Sequence, residues 1–346
     1  KNVFIRCANA GRRIRELSRH RQWSRSSPFK SAILFLTNRC NSHCRACGIW
    51  REEPKIDMPL EMVEGLLKSR LIKPGYSCFT LQGGEAILHP QFARIVQLIE
   101  KYGFDYILLS NGVDHRKLAD FVERLNIKNV QLSLDGRPQT YILARGVGGY
   151  DSVIKSIEEL KRLKASVSLA YTISPWNCLE DYLHVAEVAK RYSLPLATVI
   201  YENAKIFNTD FKEGDFFYDT SRFMPNGLER KLILFYKKWR ENSRIPCLSI
   251  FDNTCIMPNG DVRLCHCTDL VLGNLSKEPF DSIWSSKKTL ATLRQYRLCN
   301  KCYGHCHRMY DLALLDKAKF IPRFFLEWLL GTRGIGPIID ELKRNN

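Results

Sequence analysis

Long apolar runs are missing from this chain. No stretch of eighteen or more apolar residues occurs, so no membrane-spanning helix is expected. The first thirty residues lack the apolar core of a secretory signal. Nothing resembles an RNA- or DNA-binding motif, so nucleic acid is not an expected partner. The eight histidines show no metal-ligand spacing, which leaves metal binding to other side chains. Acidic residues are also short: 36 Asp and Glu face 53 Lys and Arg, a net charge of +17. Nine Lys and Arg against one Glu fall in residues 1–30. This basic extension reads either as attraction to an anionic surface or substrate or as a solvated tail.

What is present is enough for a large domain and a smaller one. The 346 residues, 45% hydrophobic and 26% charged, describe an ordinary soluble globular protein. Thirteen cysteines would suggest disulfides in a short secreted chain. Here they cluster at the front and back of a long one, which favours metal in a reducing cytoplasm.

The densest group is Thr37 to Trp50, T-N-R-C-N-S-H-C-R-A-C-G-I-W, with Cys40, Cys44 and Cys47 spaced C-x-x-x-C-x-x-C. It follows the apolar run Ala32–Leu36, which reads as a buried strand. Three thiolates in eight residues can curl around one soft centre, and thiolate is the preferred ligand of iron–sulfur clusters. Structural zinc wants four closed ligands, and this loop offers no local fourth. A four-iron cluster held by three cysteines keeps one iron open for a substrate or cofactor.

The loop resembles the signature of the radical S-adenosylmethionine (radical SAM) enzymes. The resemblance implies a 4Fe–4S cluster on Cys40, Cys44 and Cys47 whose open iron chelates SAM. It implies reductive cleavage of SAM to a 5′-deoxyadenosyl radical that abstracts hydrogen from a substrate, with a reductant such as flavodoxin or ferredoxin. Members often place an aromatic residue before the third cysteine. Here that position is Ala46, and Trp50 is the nearby ring.

Strand-like runs at Ile33–Leu36, Ser77–Leu81, Tyr106–Leu109, Val130–Leu134, Val167–Thr172 and Leu196–Tyr201 alternate with helical patterns. The helices are expected at Pro59–Ser69, Pro90–Tyr102, His115–Leu125, Tyr150–Leu163 and Leu179–Tyr192. Repeated β–α units imply a parallel sheet with right-handed crossovers and chemistry at the strands' carboxyl ends. The expected fold is α/β, a partial (β/α)6 TIM-type barrel over residues 31–205. The strand ends carry Gly83-Gly84-Glu85, Ser110-Asn111, Ser133, Asp135 and then Arg145-Gly146. Alone these are turn formers. By the resemblance, Gly83, Gly84 and Glu85 take the amino group of SAM. Ser110, Asn111, Ser133 and Asp135 meet its ribose or methionine part, and Arg145 takes its carboxylate.

Residues 206–246 read as a linker and a helix, Gly227–Asn242. The cysteines then return: Cys247, twelve residues, Gly260, four residues and Cys265, then Cys299-Asn-Lys-Cys302 and Cys306. Pro258–Asp261 is a hairpin turn signal, and Asp281–Trp284 a small helix. Separated cysteine pairs that can converge signal zinc or iron–sulfur. Residues 247–310 resemble the SPASM/twitch extension of radical SAM enzymes, a small C-terminal domain for auxiliary 4Fe–4S clusters. No cysteine follows Cys306, so one auxiliary cluster is expected, on Cys247, Cys265, Cys299 and Cys302 with Cys306 in reserve. Cys255, Cys267 and Cys306 remain, each a small buried residue or a thiol hydrogen donor of the kind related epimerases use. Residues 311–346 are expected to form a helical extension, with the aromatic and basic run at Phe320–Leu330 expected to pack on the barrel or lie in a membrane interface.

The expected function is hydrogen abstraction from an anionic small molecule, a sugar, natural-product or lipid precursor, leading to epimerisation or dehydrogenation. Its expected place is the cytoplasm, with peripheral membrane contact open. Modification of a ribosomal peptide is the alternative. Such enzymes often carry a leader-binding domain, for which the thirty-residue basic segment is expected to be too short. A non-enzymatic zinc protein would leave Gly83-Gly84-Glu85 and Arg145 without a role.

Overall fold

The computed structural model describes residues 29–201, 207, 247, 249–296 and 299. The expected helix Gly227–Asn242, Cys302, Cys306, the basic segment up to residue 28 and the extension 311–346 lie outside the described residues.

The chain divides into two compact units, and the larger takes in residues 28–223 and 253–286. Six strands lie side by side in it: β1 (Ser31–Phe35), β2 (Cys78–Gln82), β3 (Asp105–Ser110), β4 (Asn129–Ser133), β5 (Ser166–Ile173) and β6 (Leu196–Ile200). Every neighbouring pair among them is parallel. The helices that cross between them are α1 (Leu60–Leu67), α2 (Phe92–Lys101), α3 (His115–Leu125), α4 (Pro138–Arg145), α5 (Tyr150–Arg162) and α6 (Leu179–Tyr192). This is the partial (β/α)6 barrel that the sequence pattern implies.

The local chemistry explains these elements. In β1 every residue after Ser31 is buried, as in a parallel strand covered on both faces. In α2 the buried residues are Phe92, Ile95, Val96 and Ile99, one stripe at helical spacing. The Asp114 carboxylate accepts from the Lys117 amide and caps α3, which ends at Asn126 in the left-handed conformation. Helix α4 was absent from the expected elements. Pro138 opens it and Gly146, at φ +68°, closes it. Its Ile142 and Leu143 are exposed, so its apolar residues trace no inward stripe that would betray it in the sequence.

The sheet continues beyond the barrel. Strand β7 (Asn253–Ile256) runs parallel to β1, with Ser31 opposite Asn253 and Leu34 opposite Ile256. Strands β8 (Asp261–Arg263) and β9 (Val271–Asn274) follow it antiparallel. The expected turn is there, with the Gly260 amide donating to the Met257 carbonyl and Gly260 at φ +87°. The hairpin therefore extends the barrel's own sheet. Helix α7 (Phe280–Ser285) is pinned to the loop after α1. Asp281 accepts from the Ser69 hydroxyl and from the Arg70 and Leu71 amides. Phe29 meets the Phe280 and Trp284 rings at 5.1 and 4.8 Å.

The second unit takes in residues 1–27, 224–252 and 287–346. Its described parts are Cys247, a short turn Ser249–Phe251, helix α8 (Lys287–Tyr296), whose Thr289 and Leu293 are buried, and Cys299. No helix among the described residues is long and apolar enough to cross a membrane.

Candidate active site

The loop after β1 carries Cys40, Cys44 and Cys47 and has little structure of its own. Neighbouring strand ends hold it. The Gly84 amide donates to the Thr37 carbonyl at 2.8 Å and the Glu85 amide to the Arg39 carbonyl at 2.7 Å. From the other side, the His43 and Arg45 amides donate to the last carbonyls of α4, those of Arg145 and Ala144, both at 3.0 Å. These bonds satisfy helix-end acceptors and loop donors together. A Cβ on Gly84 would lie 2.2 Å from the Arg39 carbonyl oxygen and 3.0 Å from Cys40 Cβ, so only glycine allows this approach. Asp57 secures the loop's start, accepting from the Thr37 hydroxyl at 2.6 Å and from Arg39 Nε at 3.0 Å.

All three cysteines carry free, partly buried thiols. Burial pushes the Cys40 and Cys47 thiols up to about 12, and the neighbouring cysteines push in the same direction. Without a cation these thiols stay protonated, and a bound cluster's iron charge is what makes thiolates favourable here. No trio of His, Cys, Asp or Glu side chains among the described residues is grouped closely enough for a single metal ion. Three soft donors on one glycine-cradled loop fit a multi-iron group.

Asn111, at the end of β3, joins the loop to the second strand. Its Nδ2 donates to Asn41 Oδ1 at 2.7 Å and Ser42 Oγ at 3.1 Å and lies 4.0 Å from Cys40 Sγ. Its amide donates to Glu85 Oε2 at 2.7 Å. Glu85 is buried, and burial raises its carboxyl to about 7 against the pull of hydrogen bonds from Asn111, Ser110 and Ile87. Ser110 is buried and accepts from the Gly112 amide, while Ser133 is half-buried at the end of β4.

Asp135 and Arg145, read separately from the sequence, come together. Arg145 Nε lies 2.6 Å from Asp135 Oδ2, and Arg145 Nη1 is 3.8 Å from Cys44 Sγ. Burial works to lower the guanidinium's pKa, but Asp135 and Cys44 outweigh it and hold the pKa above its ordinary value. The other Asp135 oxygen accepts from the Thr172 amide at 2.8 Å. Asn177 braces this corner by donating to the Asp135 and Thr172 carbonyls. Asp57 and Asn177 belong to no motif: Asp57 pairs with the Thr37 and Arg39 side chains across the cysteine loop, and Asn177 binds backbone carbonyls at the ends of two strands. Trp50 packs at a tilt against His43 with centroids 4.6 Å apart, and its Nε1 donates to the Cys44 carbonyl, so this ring steadies the loop.

Cys255 lies in β7, fully buried with Ile33, Phe35, Ile49 and Met257 in an apolar cluster against which Cys47 packs. Cys265 is buried just past β8 and lies 3.8 Å from the Thr268 hydroxyl, and Cys267 is half-buried. Cys247 and Cys299 belong to the other unit.

The model of the radical SAM superfamily matches residues 34–197, and that of an iron–sulfur cluster-binding domain, SPASM, matches residues 247–307. This chain is a radical SAM protein with a SPASM domain. Its cofactors are accordingly SAM and 4Fe–4S clusters. Among relatives, it is 26% identical over 286 residues to the sporulation killing factor maturation protein SkfB of Bacillus subtilis, covering 79% of this chain and 69% of the relative. It is 28% identical over 151 residues to a probable GTP 3′,8-cyclase of Thermococcus kodakarensis, covering 42% of this chain and about half (48%) of the cyclase. Among solved structures, Streptococcus suis SuiB bound to precursor peptide SuiA superposes with a TM-score of 0.60 at 15% identity, over 78% of this chain and 67% of SuiB. That likeness is one of fold.

Proposed function

We propose that this radical SAM enzyme acts on a peptide during its maturation. The observation that carries the reading is the length of the likeness to the killing factor maturation protein. It spans 79% of this chain, enough to reach from the barrel into the SPASM domain. The likeness to the cyclase is confined to 151 residues, fewer than the radical SAM match alone. A sugar, natural-product or lipid precursor, expected from the charge, has less support, as do the epimerase and oxidoreductase assignments.

In this reading Cys40, Cys44 and Cys47 hold the first cluster. Glu85, with the Gly83–Gly84 backbone, receives the amino group of SAM, and Arg145 its carboxylate. Bound there, the cluster and SAM supply the electron and the radical that removes hydrogen from the substrate. Asn111 keeps Glu85 and the cysteine loop in register, and Asp135 aims Arg145. Cys247, Cys265, Cys299 and Cys302 hold the auxiliary cluster, with Cys306 in reserve. Cys255 lies sequestered in the core, so a thiol hydrogen donor falls to Cys267 or Cys306.

The test supplies reduced, anaerobically reconstituted protein with SAM and either synthetic peptides from short reading frames beside the gene or GTP. Mass spectrometry follows each. A peptide that accelerates 5′-deoxyadenosine formation and changes mass or side-chain stereochemistry supports the reading. Consumption of GTP with every peptide unchanged overturns it.

A further inference from the structure

Two buried donor atoms on α4, one helical turn apart, lack an aligned acceptor. They are Tyr141 Oη and Arg145 Nε. Arg145 Nε has Asp135 at 2.6 Å as an ion-pair partner, out of hydrogen-bond alignment. Tyr141 has no counterpart of that kind, although its side chain is fully buried. Positions four apart share one helix face, so the phenol and the guanidinium point the same way.

The surroundings of the Tyr141 hydroxyl are charged and already committed. Asp135, Arg145, Cys44 and Glu85 all act on it electrostatically. Asp135 is engaged by Arg145 and the Thr172 amide, and Glu85 by the Asn111 and Ile87 amides. A Cβ on Gly149 would lie 3.2 Å from Tyr141 Oη and 3.0 Å from Val113 Cγ2, so the glycine-rich segment after α4 leaves the hydroxyl its room. A buried hydroxyl without a partner is costly, and native proteins seldom keep one. One set among the groups that receive SAM calls for an acceptor that arrives with the ligand.

We propose that Tyr141 is a SAM-binding residue whose hydroxyl donates a hydrogen bond to the methionine carboxylate of SAM beside Arg145. The proposal rests on the radical SAM reading of this site and adds to it a residue that no motif marks. Arg145 supplies the charge and Tyr141 a short neutral donor, so the carboxylate is held from one helix face by two groups. The bond is made only when SAM is present. The hydroxyl therefore burdens the SAM-free protein and favours the SAM-bound one.

Anaerobic calorimetry of the reconstituted protein with SAM tests this with Tyr141→Phe, which removes the oxygen alone. Tyr150→Phe is the control, because Tyr150 packs edge-on against Tyr141 at 6.3 Å while its hydroxyl is already paired with His184 at 2.7 Å. Expected are a SAM Kd raised about tenfold in Tyr141→Phe, with unchanged iron content and a melting temperature without SAM equal to or above wild type. Tyr150→Phe keeps the wild-type Kd. An unchanged Kd in Tyr141→Phe overturns the proposal. So does a weakened Kd accompanied by a lower melting temperature or lost iron, which makes the hydroxyl structural. A shifted reduction potential with an unchanged SAM Kd also overturns it, because the hydroxyl then serves the cluster. If wild-type protein binds no SAM, the reading of the site falls and the proposal with it. If wild type binds and Tyr141→Phe binds equally, the proposal alone falls.

Discussion

Arg145 and Asp135 form a nearly dry ion pair, Nε to Oδ2 at 2.6 Å, with side-chain exposures of 14% and 8%. The pair ties the end of β4 to the end of α4, and its guanidinium also reaches Cys44 Sγ at 3.8 Å. One residue thus joins the cysteine loop to a strand end, at the place proposed above for the SAM carboxylate.

Removing Asp135 leaves a buried charge without its partner, which costs about 3–5 kcal/mol. Asp135→Ala is therefore expected to lower the melting temperature sharply and to weaken SAM binding. Arg145→Lys keeps the charge but loses the planar fork, and should weaken SAM binding with a smaller loss of stability. Thermal melts beside calorimetry separate the two effects.

Gly84→Ala places a methyl group 2.2 Å from the Arg39 carbonyl oxygen, too close for any real contact. The cysteine loop has to shift, so purified Gly84→Ala should carry less iron than wild type. Gly148→Ala, whose Cβ meets nothing within 4 Å, should load iron normally. Iron analysis of the two proteins decides.

Glu85 gives a pH signature. Burial raises its carboxyl from 4.5 to about 7. A group raised in the folded state stabilises it below about 4.5, and that contribution is lost as pH rises through about 7. Gln carries no such charge. Glu85→Gln should therefore gain on wild type between pH 5 and pH 8, by on the order of 2–3 kcal/mol. Melting temperatures across that range check the sign, and a gap that narrows with pH contradicts the account.

Asp281 satisfies three donors around Ser69, Arg70 and Leu71. Asp281→Ala strands those donors and is expected to cost about 1–3 kcal/mol. Phe280 and Ile283 stay buried beneath α7, so the fold should survive. Chemical denaturation measures the difference.

Much of this site can be read from the residues because its parts recur at strand ends. A buried apolar run, then three closely spaced cysteines, then glycines and a carboxylate forty residues later mark one end of a parallel barrel. The pairing of Asp135 with Arg145 is hidden because α4, which no sequence pattern marks, is what brings Arg145 back to the end of β4. Tyr141 was hidden because α4 shows no inward apolar stripe, with Ile142 and Leu143 facing solvent. The junction of β7 with β1 could not be foreseen either. Nothing in the 253–256 run names its partner, and parallel pairing between strands more than two hundred residues apart leaves no local pattern. Asn177 acts through backbone carbonyls, which carry no residue signature, and Asp57 pairs with Thr37 and Arg39 from the far side of the cysteine loop.

The most direct measurement is SAM cleavage by reduced, anaerobically reconstituted protein, compared with Cys40→Ala, Cys44→Ala and Cys47→Ala. The account predicts 5′-deoxyadenosine from wild type, accelerated by the peptide substrate. It predicts none from any of the three variants, each of which loses about four irons per chain. Cleavage that persists in all three variants, or a fully iron-loaded wild type that forms no 5′-deoxyadenosine with any peptide or nucleotide supplied, would contradict it.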